Sequence, residues 1–129
     1  MIDSVLEDVP VEYHDKLQHF LAEDPIPVAE LTAELEEDLR TVRHVAQLMR
    51  NFRFDALERL TQSALALLAD TRDDPDRQRL AQVAARYLVE EEDDDEITGV
   101  LALDDDIAVI NAIARAMGRP DLVVTKARR

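Results

Sequence analysis

Several residue types are absent or scarce in this sequence, and each absence excludes a class of structure or function. The 129 residues contain no cysteine, which excludes disulfide bonds, thiolate catalysis and cysteine-ligated metals and is consistent with a reducing compartment. With only two glycines, Gly99 and Gly118, a fold rich in β-hairpins is not expected, because tight hairpin turns usually need glycine. No apolar run approaches the length that spans a bilayer, and the acidic first residues do not resemble a secretory signal. We therefore expect a cytoplasmic protein without a membrane span.

The residues that are abundant favour helices and carry a strong negative charge. Hydrophobic residues make up 47% of the chain, which is enough to build a core, and Leu, Ala, Glu and Arg are good helix formers. The 29 acids outnumber the 15 lysines and arginines, so the formal net charge is -14. Direct binding to nucleic acid is not expected, because phosphates are bound by clustered basic residues. The charge is compatible with a basic protein partner and equally with a role in solubility alone.

The spacing of apolar residues predicts an all-α single domain, an antiparallel bundle of about five helices. The bundle is expected to span residues 11–122, between an acidic N-terminal segment, 1–10, and a basic tail, 123–129. Arginines on the helix surfaces are expected to pair with acids of neighbouring helices. The predicted helices are Val11–Glu23, Val28–Asn51, Ala56–Asp70, Pro75–Glu91, and a fifth that follows a cap at Asp104–Asp106 and ends before Gly118.

Seven consecutive acids, Glu90 to Glu96, separate the last two predicted helices; we call them the acidic segment. Adjacent carboxylates repel one another, so such a run is expected to face water, to bind cations or to meet a basic partner. A solvated run without a partner is the simplest interpretation. The alternative is a docking surface, in which the acids attract a basic protein and a following apolar patch anchors it. Its predicted residues are Glu90, Glu91, Glu92, Asp93, Asp94, Asp95, Glu96, Val100, Leu101, Asp104, Asp105 and Asp106.

A calcium site is a further interpretation of the same stretch. If an EF-hand loop began at Asp94, the ligand positions three, five and twelve would fall on Glu96, Thr98 and Asp105. Gly99 would then occupy the position that requires glycine, and helices are predicted on both sides. The ligand at position three would be Glu rather than Asp or Asn, and the ligand at position twelve would be Asp rather than the usual bidentate Glu. Calcium is therefore kept as the alternative function, and no other cofactor is predicted.

The sequence does not show the residue patterns that enzymes of the common classes need. Of the two serines, Ser4 and Ser63, the latter lies within a predicted helix and lacks the flanking glycines of a nucleophile elbow. His14 and His19 are five residues apart, which does not place them well on one helical face. There is no glycine-rich phosphate loop. We therefore predict that the protein is not an enzyme.

The stretch from Arg79 to Pro120 resembles the YkvA-like family, a bacterial family of unknown function. The resemblance rests on a helix end that reads Ala-Ala-Arg-Tyr-Leu at residues 84–88, on Asp93, and on the pair Asp105-Asp106 before an apolar helix. Acids stand where that family has loop prolines. The resemblance implies a helical module that in some members is associated with membranes. From the residues themselves we predict an acidic interaction module that docks a basic protein, with self-association through the apolar patch as another use of that patch.

Overall fold

The computed structural model describes residues 2–48, 52–93 and 100–124, and it leaves out the side chains of residues 46, 52–54, 90–93 and 100–105. Over these ranges the chain is all-helical, as predicted, with six α-helices rather than about five. The helices are α1 (Ile2–Asp8), α2 (His14–Leu21), α3 (Val28–Leu48), α4 (Phe52–Ala69), α5 (Pro75–Asp93) and α6 (Val100–Ala116). Two short 3₁₀ turns, Val11–Tyr13 and Pro120–Leu122, precede α2 and follow α6. Within the described ranges, no helix combines the length and the apolar character needed to cross a membrane.

Apolar side chains at helical spacing determine how α3 and α4 pack. Leu31, Leu35, Leu39 and Val42 are buried along one face of α3, at the three- and four-residue spacing of an amphipathic helix. The start of α3 is fixed by Pro27, whose carbonyl accepts the amides of Glu30 and Leu31 at 3.0 and 3.1 Å. α3 and α4 follow one another closely and pack along their lengths as a helical hairpin.

α5 lies at the centre of the bundle and packs against α2, α3, α4 and α6. All six residues 80–85 are buried, so this helix has no solvent-facing side over that stretch. Tyr87 is fully buried, and Phe20 of α2 meets its ring edge-on with the ring centres 5.2 Å apart. Every α-helix contributes residues to the same hydrophobic core, which confirms a single helical domain.

Several helix starts differ from the sequence prediction: α4 begins at Phe52 rather than Ala56, and the helix predicted from Val11 opens with the 3₁₀ turn Val11–Tyr13 before α2 begins at His14. α1 lies inside the segment predicted only as an acidic extension, and its apolar residues Ile2, Val5 and Leu6 face the core. α6 begins at Val100, so Asp104–Asp106 lie within the helix and do not cap it. The reason is that the apolar residues 100–103 continue the stripe of the following helix, and the hydrophobic pattern outweighs the low helix propensity of three aspartates.

The C-terminal part of the described chain is held against α4 and α6. The amide of Asn111 on α6 makes a two-way contact with Val124, donating from Nδ2 to the Val124 carbonyl and accepting the Val124 amide at Oδ1, both at 2.8 Å. Ser63 of α4 donates to the Leu122 carbonyl at 2.7 Å. Val123 is partly buried and Val124 is buried, so the first two residues of the predicted tail, 123–129, pack on the bundle.

Candidate functional site

Eleven of the twelve predicted docking residues, all but Asp106, have side chains that lie outside the described part of the structure. Glu90–Asp93 form the last turn of α5, while Val100, Leu101, Asp104 and Asp105 belong to the first half of α6; the side chains of both groups lie outside the description. Asp94, Asp95 and Glu96 lie outside the described residues altogether, so the exposure of the acidic segment stays a prediction.

Asp106 is the one predicted docking residue whose side chain is described, and it is fully buried. A buried carboxylate cannot meet a partner surface, so the prediction was wrong for this residue. α6 turns Asp106 inward because the residue lies one turn before Ile110 and immediately before Ile107, both of which are buried in the core.

The calcium alternative rests on residues that the description leaves out in part or in full. Asp94, Glu96 and Thr98 lie outside the described residues, and the side chain of Asp105 is not described. The helix α6 begins at Val100, which makes the last six positions of the supposed twelve-residue loop helical. A loop that wraps its ligands around an ion does not have this shape. Among the described residues, no group of three or more His, Asp or Glu side chains is placed to hold a metal ion.

Most of the arginines whose contacts are described pair with the protein's own acids, as expected from the sequence. Arg43 of α3 contacts Glu58 of α4 at 3.0 Å, and Arg86 of α5 contacts Glu23 at 2.9 Å. Arg115 of α6 contacts Asp8 of α1 at 2.8 Å. Each of these pairs joins two different elements, so the positive charge of the fold is used to hold helices together.

Asp70, at the end of α4, is the centre of a larger network. Arg72, Arg77 and Arg119 reach its carboxylate at 2.7, 3.8 and 3.1 Å, and Arg119 also contacts Asp121 at 3.0 Å. Hydrogen bonds from Arg72 and then Arg119 hold the pKa of Asp70 below its ordinary value. The hydrogen bond from Arg119 likewise lowers the pKa of Asp121. The hydrogen bonds that Arg119 donates to Asp121 and Asp70 raise the pKa of Arg119 above its ordinary value. The network joins the end of α4 to the segments around Arg72 and Arg119, and its two carboxylates engage three arginines.

The acids of α3 behave differently. Glu30, Glu34, Glu36 and Glu37 are all exposed, and within the described part of the chain none of their carboxylates takes part in an ion pair or a hydrogen bond. We call these four residues the α3 acidic face. Glu30, Glu34 and Glu37 follow one another at intervals of four and three residues, so they line one stripe about 10 Å long.

The α3 acidic face was not predicted from the sequence, because a run of seven adjacent acids is a stronger pattern than four acids spaced over eight residues. The signal that identifies the face is its i, i+4, i+7 spacing on the side opposite Leu31 and Leu35. Like charges at this spacing weaken a helix, so the stripe does not stabilise α3.

Comparisons with known proteins do not connect this chain to any family. The resemblance to the YkvA-like family therefore stays a prediction. No family model, no curated protein and no solved structure matches the chain.

Proposed function

We propose that this protein is an acidic interaction module that docks a basic protein partner. The observation that carries the proposal is the α3 acidic face, whose carboxylates are exposed while the arginines described above are engaged inside the molecule. The acidic segment would extend the same negative field. A partner would be drawn in by charge over a distance and then fixed by direct carboxylate contacts.

The spacing of the acids indicates the chemistry of the partner surface. A stripe with carboxylates at intervals of four and three residues is complementary to lysines or arginines repeated along one face of a helix. Arginine is the better match, because its planar guanidinium can contact a carboxylate with two parallel hydrogen bonds. Association would be fast at low ionic strength and would weaken steeply as salt is added.

The test compares two variants of equal net charge. The first replaces Glu30, Glu34 and Glu37 by glutamine, and the second, a matched control, replaces Glu7, Glu12 and Asp15 by the corresponding amides. The probe is a helical peptide with arginines at matching spacing, and its affinity is measured by titration calorimetry at several salt concentrations. Since exposed charge contacts are worth about 0.5 kcal/mol each, the first variant should bind about tenfold more weakly, and the control should change little.

A third variant, with amides replacing the acids of the acidic segment, tests that segment separately. If it also weakens binding, the docking surface includes both groups of acids. Equal losses in the α3 variant and in the control would show that only the total charge matters, and this result would contradict a defined docking face.

A further inference from the structure

The solvent-facing side of α3 carries acids in its first half and basic residues beyond its middle. Along the line opposite the buried Leu35, residues follow one another at intervals of three and four and form one row. All members of the row are exposed. We call them the central row of α3; they are Glu30, Ala33, Glu37, Arg40, His44 and Gln47.

Arg40 differs from the arginines that join helices. Its side chain is exposed, and within the described part of the chain its guanidinium forms no ion pair or hydrogen bond. Arg43, three residues further along, is instead held by Glu58 of α4 at 3.0 Å. The Glu37 carboxylate lies one turn before Arg40 and also has no described partner. The central row therefore offers both an acid and a base to another molecule.

The charges of the central row are complementary to those of the same row running in the opposite direction. Its spacing is symmetric about the midpoint between residues 38 and 39. When two copies of α3 lie antiparallel across a twofold axis at this point, Glu37 of each copy faces Arg40 of the other. Ala33, the smallest residue of the row, then faces His44. The antiparallel arrangement also opposes the two helix dipoles favourably.

We propose that α3 pairs with the α3 of a second copy in this antiparallel arrangement, with an ion pair between Glu37 and Arg40 in each direction. Charge complementarity identifies the occupant. A row with acids alone would select a basic surface, whereas Arg40 requires an acid opposite it, and the reversed row supplies that acid at the matching position. The dimer would cover part of the α3 acidic face and compete with a basic partner, but its formation does not depend on that partner.

The net charge gives this pairing a characteristic dependence on salt. Two copies that each carry a charge of -14 repel one another over a longer range than the contact between Glu37 and Arg40. The Debye length shrinks from about 30 Å at 0.01 M salt to about 8 Å at 0.15 M, so added salt removes the long-range repulsion first. The dimer should therefore be stronger at about 0.15 M salt than at about 0.01 M. Binding of a basic peptide should show the opposite trend.

Reversing the two charges tests the pairing directly. One chain carries Glu37→Arg and a second carries Arg40→Glu, and a dimer of either chain alone then places like charges opposite each other. In a mixed dimer of the two chains both contacts are attractive again, and a chain with both substitutions also recovers them. Glu12→Arg and Arg59→Glu are the controls, because they change the net charge equally at exposed positions on other elements.

The dimerisation constants are measured by sedimentation equilibrium in 0.15 M NaCl, at up to about 1 mM protein because contacts of this kind are weak. The unmodified protein, the double variant and the one-to-one mixture should dimerise alike. Each single variant should dimerise about tenfold more weakly than its control. An unmodified protein that stays monomeric would overturn the pairing, as would single variants that dimerise as strongly as their controls.

Arg40→Glu also separates this proposal from the docking of a basic partner. The variant keeps Glu30, Glu34 and Glu37, so it should lose the dimer and bind the arginine peptide at least as tightly as the unmodified protein. An unmodified protein that binds the peptide without dimerising would overturn the pairing alone. One that dimerises without binding the peptide would overturn the docking alone.

Discussion

At the scale of single residues, Asn111 makes the most specific contact between the bundle and the segment that follows α6. Its amide satisfies both the carbonyl and the amide of Val124, which is a buried residue. Replacing Asn111 by alanine would leave two backbone groups without these partners, and each buried group left unsatisfied costs about 1–3 kcal/mol. We expect Asn111→Ala to lower the free energy of unfolding by about 2 kcal/mol in urea denaturation.

The control for this prediction is Gln62→Ala. Gln62 of α4 is exposed and lines the same side of the molecule next to Ser63. Its replacement should change the unfolding free energy by less than about 0.5 kcal/mol. A similarly small effect for Asn111→Ala would mean that water forms hydrogen bonds with the backbone groups of Val124 once the Asn111 side chain is removed.

The Asp70 network gives the fold a dependence on pH. Because the pKa values of Asp70 and Asp121 are lowered in the folded state, these acids bind protons more readily in the unfolded chain. Their contribution is therefore complete above the unfolded value, about pH 4, and is lost as the pH falls through the lower folded values. We expect unfolding curves measured between pH 5 and pH 2 to show this loss.

Asp70→Asn identifies the source of the acid sensitivity. This variant should be less stable than the unmodified protein at pH 7, and the difference between the two should shrink as the pH falls below about 4, because Asp70 takes up its proton first in the unfolded chain and only at lower pH in the folded protein. Glu34→Gln, which changes an exposed acid outside the network, is the control and should not reproduce that convergence. A constant difference across the whole pH range would contradict the assignment.

At the scale of elements, the end of α6 depends on a left-handed glycine. Gly118 has φ +76°; its amide bonds to the Arg115 carbonyl at 3.1 Å, and the Arg119 amide bonds to the Ala114 carbonyl at 2.8 Å. This is a Schellman C-terminus, which places Arg119 beside Asp70. A Cβ on Gly118 would meet no atom within 4 Å, so a substitution there causes backbone strain and not a clash.

Gly118→Ala should therefore lower the unfolding free energy by about 1 kcal/mol, the typical cost of a left-handed conformation for a residue with a side chain. Gly118→Asn should lose less, because asparagine tolerates this conformation better. Both are measured by urea denaturation. Equal stability of the alanine variant and the unmodified protein would show that the segment after α6 can rearrange without loss.

The helices of the bundle could be predicted where apolar spacing and breakers agree. α3 was predicted to start at Val28 and α5 at Pro75, and both do, because prolines restrict where each helix can begin. Leu80, Val83 and Tyr87, which have helical spacing in α5, are buried. α1 was not predicted, although Ile2, Val5, Leu6 and Val9 have helical spacing, because a stretch of seven residues becomes helical only when it docks on another element.

Features set by contacts between distant residues could not be predicted. The burial of Asp106 depends on how α6 is rotated in the bundle, and three consecutive aspartates in sequence are more typical of a surface or a cap. The choice of partners by the arginines is also a tertiary property: Arg115 pairs with Asp8, 107 residues away. For the same reason, the sequence could not show which acids remain exposed without a partner.

At the scale of the whole molecule, arginines and acids have separate roles. The arginines join elements: Arg43 links α3 to α4, Arg86 links α5 to the segment after α2, and Arg115 links α6 to α1. The acids exceed the basic residues by 14, so a net negative charge remains even if every basic residue is paired with an acid. Self-repulsion of that excess destabilises the compact state while favouring solubility and attraction of cationic surfaces.

Salt has two opposing effects on the stability of the fold. Screening weakens the ion pairs, which are surface pairs of small value. Screening also relieves the repulsion summed over the whole acidic excess, and this effect is expected to be the larger one. We therefore expect the melting temperature to rise, by roughly 4 °C or about 1 kcal/mol, between 10 mM and 0.5 M NaCl. The triple glutamine variant of the α3 acidic face should melt higher at 10 mM and gain less from salt, because part of the repulsion has already been removed. A melting temperature that falls with salt in the unmodified protein would mean that the ion pairs outweigh the repulsion. The excess negative charge would then not lower the stability of the fold.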